Sequence, residues 1–181
     1  MIVLVDGPSG SGKTTLATRL GILLRLPVIH MDDFYPGWSG LAAGSDIIAA
    51  SVLKTTDPGY YRWDWANDRA GEWVPVPPGA KIIEGAGAVT AETLRAASIS
   101  DHRVAAIMLT GEATTRYRRA MRRDPYYEPY WEMWSEQEKR HYAVQSQGLG
   151  DLVPTLWIDT TGLDAGQVVR RAYDFITYYV E

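Results

Sequence analysis

The chain contains no cysteine, which excludes disulfides, thiolate metal sites and cysteine nucleophiles. Histidine is almost as scarce, with three dispersed residues, and that speaks against a histidine-rich metal centre. Positive charge is not in excess: 18 Lys and Arg stand against 22 Asp and Glu, a net charge of −4. A nucleic-acid partner held by bulk positive charge is therefore not expected. No apolar run approaches the ~18 residues that span a bilayer, so no membrane partner is expected either. The opening "MIVLVDGPSG" has no basic leader and reads as a first strand, not a signal peptide. A cytoplasmic location is the expectation, and homo-oligomerisation is left open. Phenylalanine is rare too, two residues against seven Trp and eleven Tyr.

Much of that Trp and Tyr falls in two short segments. One holds Tyr60, Tyr61, Trp63, Trp65 and Trp73; the other holds Tyr126, Tyr127, Tyr130, Trp131 and Trp134. Such side chains pair a flat apolar body with a polar tip, which suits half-buried clefts. The plainer alternative is packing beneath loops.

At 181 residues the chain suits a single domain, 1–181. Ile2 to Val5 is a continuous apolar run, as expected of a strand buried on both faces. Leu16, Ala17, Leu20, Leu23 and Leu24 recur at helical spacing between Lys13 and Leu24, and Pro27 stops the helix. Further strands are expected at Val28 to Met31, Ala80 to Gly85, Arg103 to Leu109 and Thr155 to Asp159. Helices are expected at about 42–54, 90–97, 112–123, 131–145 and 164–179. Residues 55–79, rich in Pro, Gly, Trp and Asp, read as an irregular insertion. Strands alternating with helices imply α/β architecture, a parallel sheet covered on both faces.

Gly7-Pro-Ser-Gly-Ser-Gly12-Lys13-Thr14 fits G-x-x-x-x-G-K-[ST] at every fixed position, between an apolar strand and an amphipathic helix. The glycines let successive amides point inward at phosphate oxygens, and the helix N-terminus adds partial positive charge. The nucleotide-binding residues are accordingly Gly7, Ser9, Gly10, Ser11, Gly12, Lys13, Thr14 and Thr15. Lys13 would reach the β- and γ-phosphates and Thr14 would ligate Mg²⁺. A glycine-rich turn without a ligand is the alternative.

"GPSGSGKTT" followed by "HMDDFYPG" resembles the uridine kinase and nicotinamide riboside kinase group of P-loop kinases. The resemblance implies a P-loop fold of three α/β/α layers, nucleoside monophosphate kinase type, with five parallel strands ordered 2-3-1-4-5. In that group a D-[SD]-[FY]-[FY] stretch carries the aspartate that activates the acceptor, which places this role on Asp32, with Asp33 beside it as a candidate acceptor contact and Phe34 and Tyr35 completing the motif. Chemistry points the same way, since transfer to a hydroxyl needs a carboxylate to take its proton. An acidic residue just past a strand neighbouring the loop faces the crevice where ligands of such sheets bind. Capping of a turn before Pro36 is the competing role for Asp32 and Asp33.

"YYRWDWAND" resembles the family's aromatic-plus-aspartate pair, which implies Asp64 as a clamp on ribose hydroxyls and Tyr61, Trp63 or Tyr35 stacking on a base. A Trp-rich loop folded on itself is the alternative. "KIIEGAGA" is similar to the family's third strand, and implies Glu84 near the magnesium with Thr14 and Asp32. "RYRRAMRRD" places five arginines between Arg116 and Arg123, with Arg116, Arg119 and Arg123 on one helical face. The resemblance implies a lid over about 116–134 whose Arg119 and Arg123 come onto the phosphates, and an acceptor-binding insertion over about 36–79. A solvated basic face is the alternative for the arginines. Beyond Asp124 the aromatic "PYYEPYWEMW" replaces the further arginines and glycines that many uridine kinases carry.

The expected activity is transfer of the γ-phosphate of ATP, with GTP as an alternative donor, to a hydroxyl of a small-molecule acceptor, foremost a nucleoside or riboside. Lys13, Asp32, Arg119 and Arg123 are the expected catalytic residues. One rival is a kinase for another metabolite or an antibiotic. A second is a nucleotide-dependent switch, but the guanine-reading N-K-x-D is missing. A third is a nucleic-acid-associated ATPase, which would need a broader basic surface than one helix.

Overall fold

The computed structural model describes residues 1–99, 102–145 and 152–180. Strand β1 (Ile2–Asp6) is buried along its whole length and forms the centre of the sheet. It pairs in parallel with β5 (Lys81–Glu84) on one side and β6 (Val104–Thr110) on the other. Strand β2 (Val28–His30) lies outside β5, and β7 (Thr155–Asp159) outside β6. The order is β2-β5-β1-β6-β7, all parallel. Numbered among themselves, these five strands follow the expected 2-3-1-4-5.

The pleat of β1 divides the core in two. Ile2 and Leu4 enter one cluster with Met31, Phe34, Tyr35, Leu94 and Trp134, whereas Val3 and Val5 enter another with Leu16, Leu20, Val169 and Ile176. Helices α1 (Lys13–Leu24) and α6 (Ala165–Val180) cover the second face. The first face is covered by α2 (Leu41–Ile47), α3 (Ala91–Ser98) and α5 (Trp131–Gln145). Helix α1 ends where Arg25 turns left-handed (φ 55°) and donates its amide to Gly21 O, two residues before Pro27. Thr90 and Thr93 form a capping box that starts α3.

Two expectations need correction. The helix expected over 42–54 is α2 followed by a π-helical turn, Ile48–Val52. The insertion at 55–79 is not irregular: β3 (Gly59–Asp64) and β4 (Arg69–Pro75) form an antiparallel hairpin with a bulge between Tyr61 and Trp63. Tyr60 turns inward against Phe34 at 4.7 Å, and Tyr61 faces outward against Trp73 at 5.1 Å. The hairpin is amphipathic only at that inward end, which hid its period of two among turn-forming residues. Among the described residues no helix is long and apolar enough to cross a membrane.

Candidate active site

The phosphate-binding loop runs from the end of β1 to the first residue of α1. Gly10 and Gly12 have φ of +76° and +98°, which lets the chain curl into the helix. Gly12 is the N-cap of α1; no side chain caps it and no acidic residue occupies the first turn. The amides at that terminus therefore open onto the cleft with their partial positive charge uncompensated, an arrangement suited to polyphosphate. Lys13 donates to Pro8 O at 3.3 Å and stays folded over the loop.

The opposite wall comes from the carboxyl ends of β2 and β5. Asp32 sits in a 3₁₀ turn (Met31–Asp33) directly after β2, and Glu84 closes β5. Asp32 is accessible from the cleft yet hemmed by protein. That partial desolvation, with Glu84 nearby, raises its carboxyl above the ordinary value, while Lys13, Arg123 and His30 oppose the rise. His30 Nδ1 donates to Glu84 Oε1 at 2.6 Å, and this bond raises the imidazole's pKa in spite of its half-burial.

One cavity of about 800 Å³ joins the two walls. Of the expected residues, Ser9, Gly10, Gly12, Lys13, Thr14 and Thr15 line one side, and Asp32, Tyr35, Glu84, Arg119 and Arg123 line the rest. Gly7 does not line it. Ser11 opens instead on an adjoining cavity of about 220 Å³ with Thr160, Leu163 and Val168. Arg119 borders both and donates to Thr160 Oγ1 and O at 3.0 and 2.8 Å, so here it braces the loop after β7.

The hairpin presents a different residue from those expected. Asp33, Tyr61, Trp63 and Asp64 are not among the residues lining the cavity. Asp33 accepts from Tyr60 Oη at 3.2 Å, and Asp64 is engaged in its own turn by Asn67 Nδ2 at 2.7 Å. Trp65, one residue further on, reaches the cleft and donates its indole N–H to Asp32 O at 3.0 Å. It packs 5.0 Å from Trp38, which in turn stacks on Tyr130 at 3.8 Å and 2°. Tyr126, Tyr127 and Trp134 complete this aromatic end. Tyr35 is buried and donates to Ala86 O at 2.8 Å, fixing the end of β5.

Sequence reasoning missed two carboxylates. Asp6 accepts from the amides of Gly7, Gly87 and Val89 at 2.6, 2.9 and 2.8 Å and from Tyr142 Oη at 2.7 Å. Glu138, on α5, accepts from Ser9 N at 2.7 Å and Ser9 Oγ at 2.8 Å. The position of Asp6 directly before Gly7 was a usable signal. Glu138 gave none, since its partner lies 129 residues away.

No protein-family model matches the sequence, and no curated protein does. Solved structures do match in shape. A gluconokinase from Sinorhizobium meliloti 1021 superposes with TM-score 0.61 at 15% identity, over 98% of this chain and 92% of that one. The two chains share one α/β fold. A shikimate kinase from Acinetobacter baumannii gives TM-score 0.60 at 14% identity, covering 98% and 93% of the two chains. The protein named "Possible Uridine Kinase" of Bacillus stearothermophilus gives 0.52 at 17%, covering 86% and 88%. Kinases named for several different acceptors thus share the architecture, and uridine kinase is one among them.

Proposed function

We propose that the protein is a small-molecule kinase that moves the γ-phosphoryl group of ATP to a hydroxyl, foremost of a nucleoside or riboside. The observation that carries this reading is a single cavity with Lys13 and the uncapped start of α1 on one side and Asp32 on the other. A nucleotide-binding switch needs the first half only. Asp32 takes the proton of the acceptor hydroxyl as its oxygen bonds to phosphorus and the β–γ bridging bond breaks. Its raised pKa makes it a stronger base than a free aspartate, while Lys13, Arg123 and His30 favour its charged form. Lys13 and the loop amides hold the phosphates, with GTP as the alternative donor. Arg123 neutralises the transferring group, and Arg119 joins it on leaving Thr160.

The donor set fits magnesium in its usual phosphate-bound form. Among the described residues no cluster of three or more His, Asp or Glu could hold a metal alone. Thr14, Asp32 and Glu84 line the cleft, and magnesium takes few carboxylates beside phosphate and water. When bound there it would supply charge neutralisation on the phosphates.

The acceptor reading rests on the rings. Trp38, Trp65, Tyr130 and Trp134 offer flat apolar surface beside Asp32. The basic side chains of the cavity are Lys13, Arg119 and Arg123, those the phosphates call on. A flat-ringed, uncharged riboside suits that wall better than a sugar acid. Asp33, Tyr61, Trp63 and Asp64 stand outside the cavity and take no part in this reading. A panel of ribosides, sugar acids and other small alcohols, incubated with γ-labelled ATP or GTP, tests this. Label on a riboside supports it, and label only on a sugar acid moves the acceptor class.

A further inference from the structure

Glu138 is a buried carboxylate that phosphoryl transfer as described leaves without a task. It lies on α5, outside the phosphate-binding loop, yet its Oε1 takes both the amide and the hydroxyl of Ser9. Two groups of the lid region grip the same residue. Tyr127 Oη lies 3.0 Å from Ser9 Oγ, and Arg116 of α4 (Ala113–Arg123) donates from its Nη1 to Ser9 O at 3.0 Å. Glu138 Oε2 stands 3.9 Å from that guanidinium. Every polar group of Ser9 is thus held, by Glu138 on α5, by Tyr127 just after α4 and by Arg116 on α4, the helix that also carries Arg119 and Arg123. Burying a carboxylate is costly, and burial raises Glu138's pKa, opposed by Lys13 and the Ser9 bonds. A full hydrogen-bond set around Ser9 is what offsets that cost.

We infer that Glu138 is a positioning residue, clamping the tip of the phosphate-binding loop to the lid so that the arginines of α4 keep a fixed distance from the phosphates. The inference rests on the kinase reading for its effect on turnover, but not for the clamp itself. Of the expected nucleotide-binding residues Glu138 bonds Ser9 alone, and it leaves Gly10 to Thr15, Lys13 among them, to hold the phosphates. Loss of the clamp therefore acts on turnover more than on nucleotide affinity. Misplacement of a catalytic group by about 1 Å can lower a rate by on the order of 100-fold.

Two near-isosteric variants separate reach from charge. Glu138→Gln keeps an oxygen at the right distance for Ser9 N and Oγ and drops the charge. Glu138→Asp keeps the charge and, one methylene shorter, withdraws from Ser9. Glu136→Gln, on the exposed face of the same helix, serves as control. Hydrogen–deuterium exchange of the peptide spanning 7–13 reads the clamp without any acceptor. Binding of a fluorescent ADP analogue, and kcat and KM for ATP with whichever acceptor turns over, read its consequences. Expected are wild-type exchange for Glu138→Gln and Glu136→Gln, and exchange faster by about tenfold at Ser9 for Glu138→Asp. Expected too is a kcat lowered roughly 10- to 100-fold in Glu138→Asp alone, with ADP-analogue affinity within about threefold. Wild-type exchange in Glu138→Asp overturns the clamp whether or not the protein proves to be a kinase. Equal kcat loss in both Glu138 variants overturns it in favour of charge. If no acceptor is phosphorylated by the wild type while the exchange result holds, the kinase reading fails and the clamp stands.

Discussion

Gly10→Ala is the perturbation whose size the structure specifies most fully. A Cβ at Gly10 would lie 2.1 Å from the carbonyl oxygen of Arg116 and 2.6 Å from its carbonyl carbon, both backbone atoms of α4. Ordinary contact begins near 3.4 Å, so helix and loop must separate by about 1 Å. The residue also keeps φ at +76°, which costs a side-chain-bearing residue about 1–2 kcal/mol. Relief of the overpacking adds roughly 1–3 kcal/mol. The sum, about 2–5 kcal/mol, corresponds to a fall in melting temperature of roughly 4–20 °C in a domain of this length. Gly79→Ala is the matched control: its φ is +85° and nothing lies within 4 Å of its Cβ, so only the conformational cost of about 1–2 kcal/mol applies. Differential scanning calorimetry compares the two. Because Arg119 and Arg123 ride on α4, Gly10→Ala should also lose on the order of 100-fold in turnover while Gly79→Ala loses little. Equal melting temperatures for the two variants, or wild-type turnover in Gly10→Ala, would refute the contact between loop and lid.

Further expectations follow from the two walls. Trp38→Ala removes the ring that stacks on Tyr130, and should raise KM for a ring-bearing acceptor roughly 5- to 150-fold, about 1–3 kcal/mol of stacking, with KM for ATP unchanged. An unaltered acceptor KM would contradict the stacking role. His30 has its pKa raised by the bond to Glu84, so the protonated form is favoured in the folded protein. Its stabilisation is complete below the unfolded value of about 6.5 and is lost as pH climbs through the raised folded value. The melting-temperature gap between wild type and His30→Gln, followed from about pH 5 to about pH 9, should therefore narrow as pH rises. A gap that widens would be contrary.

Much of the fold was legible because its signals are local. The apolar run ending at Gly7 marks a central strand, and the buried set Leu16, Ala17 and Leu20 has the helical period. Asp32 and Glu84 were legible as strand-end carboxylates, since parallel strands bring such ends to one edge. The hairpin was not, because its bulge breaks the alternation between Tyr61 and Trp63. That same bulge and turn bring Trp65 to the cleft in place of its neighbours. Glu138 and Trp38 were beyond sequence reasoning for another reason. Each acts through a contact across the chain, with Ser9 and Tyr130 respectively, and nothing in the surrounding residues marks it.

In the proposed kinase, Lys13 and Asp32 face each other across one cavity as the donor and acceptor halves of the site. The most direct test of that pairing is acceptor-dependent ADP formation by wild type and Asp32→Asn, measured beside ATP affinity. Turnover lower by about 10²- to 10⁴-fold is expected in the variant, with ATP affinity within about threefold. Near wild-type turnover in Asp32→Asn, at unchanged ATP affinity, would contradict it.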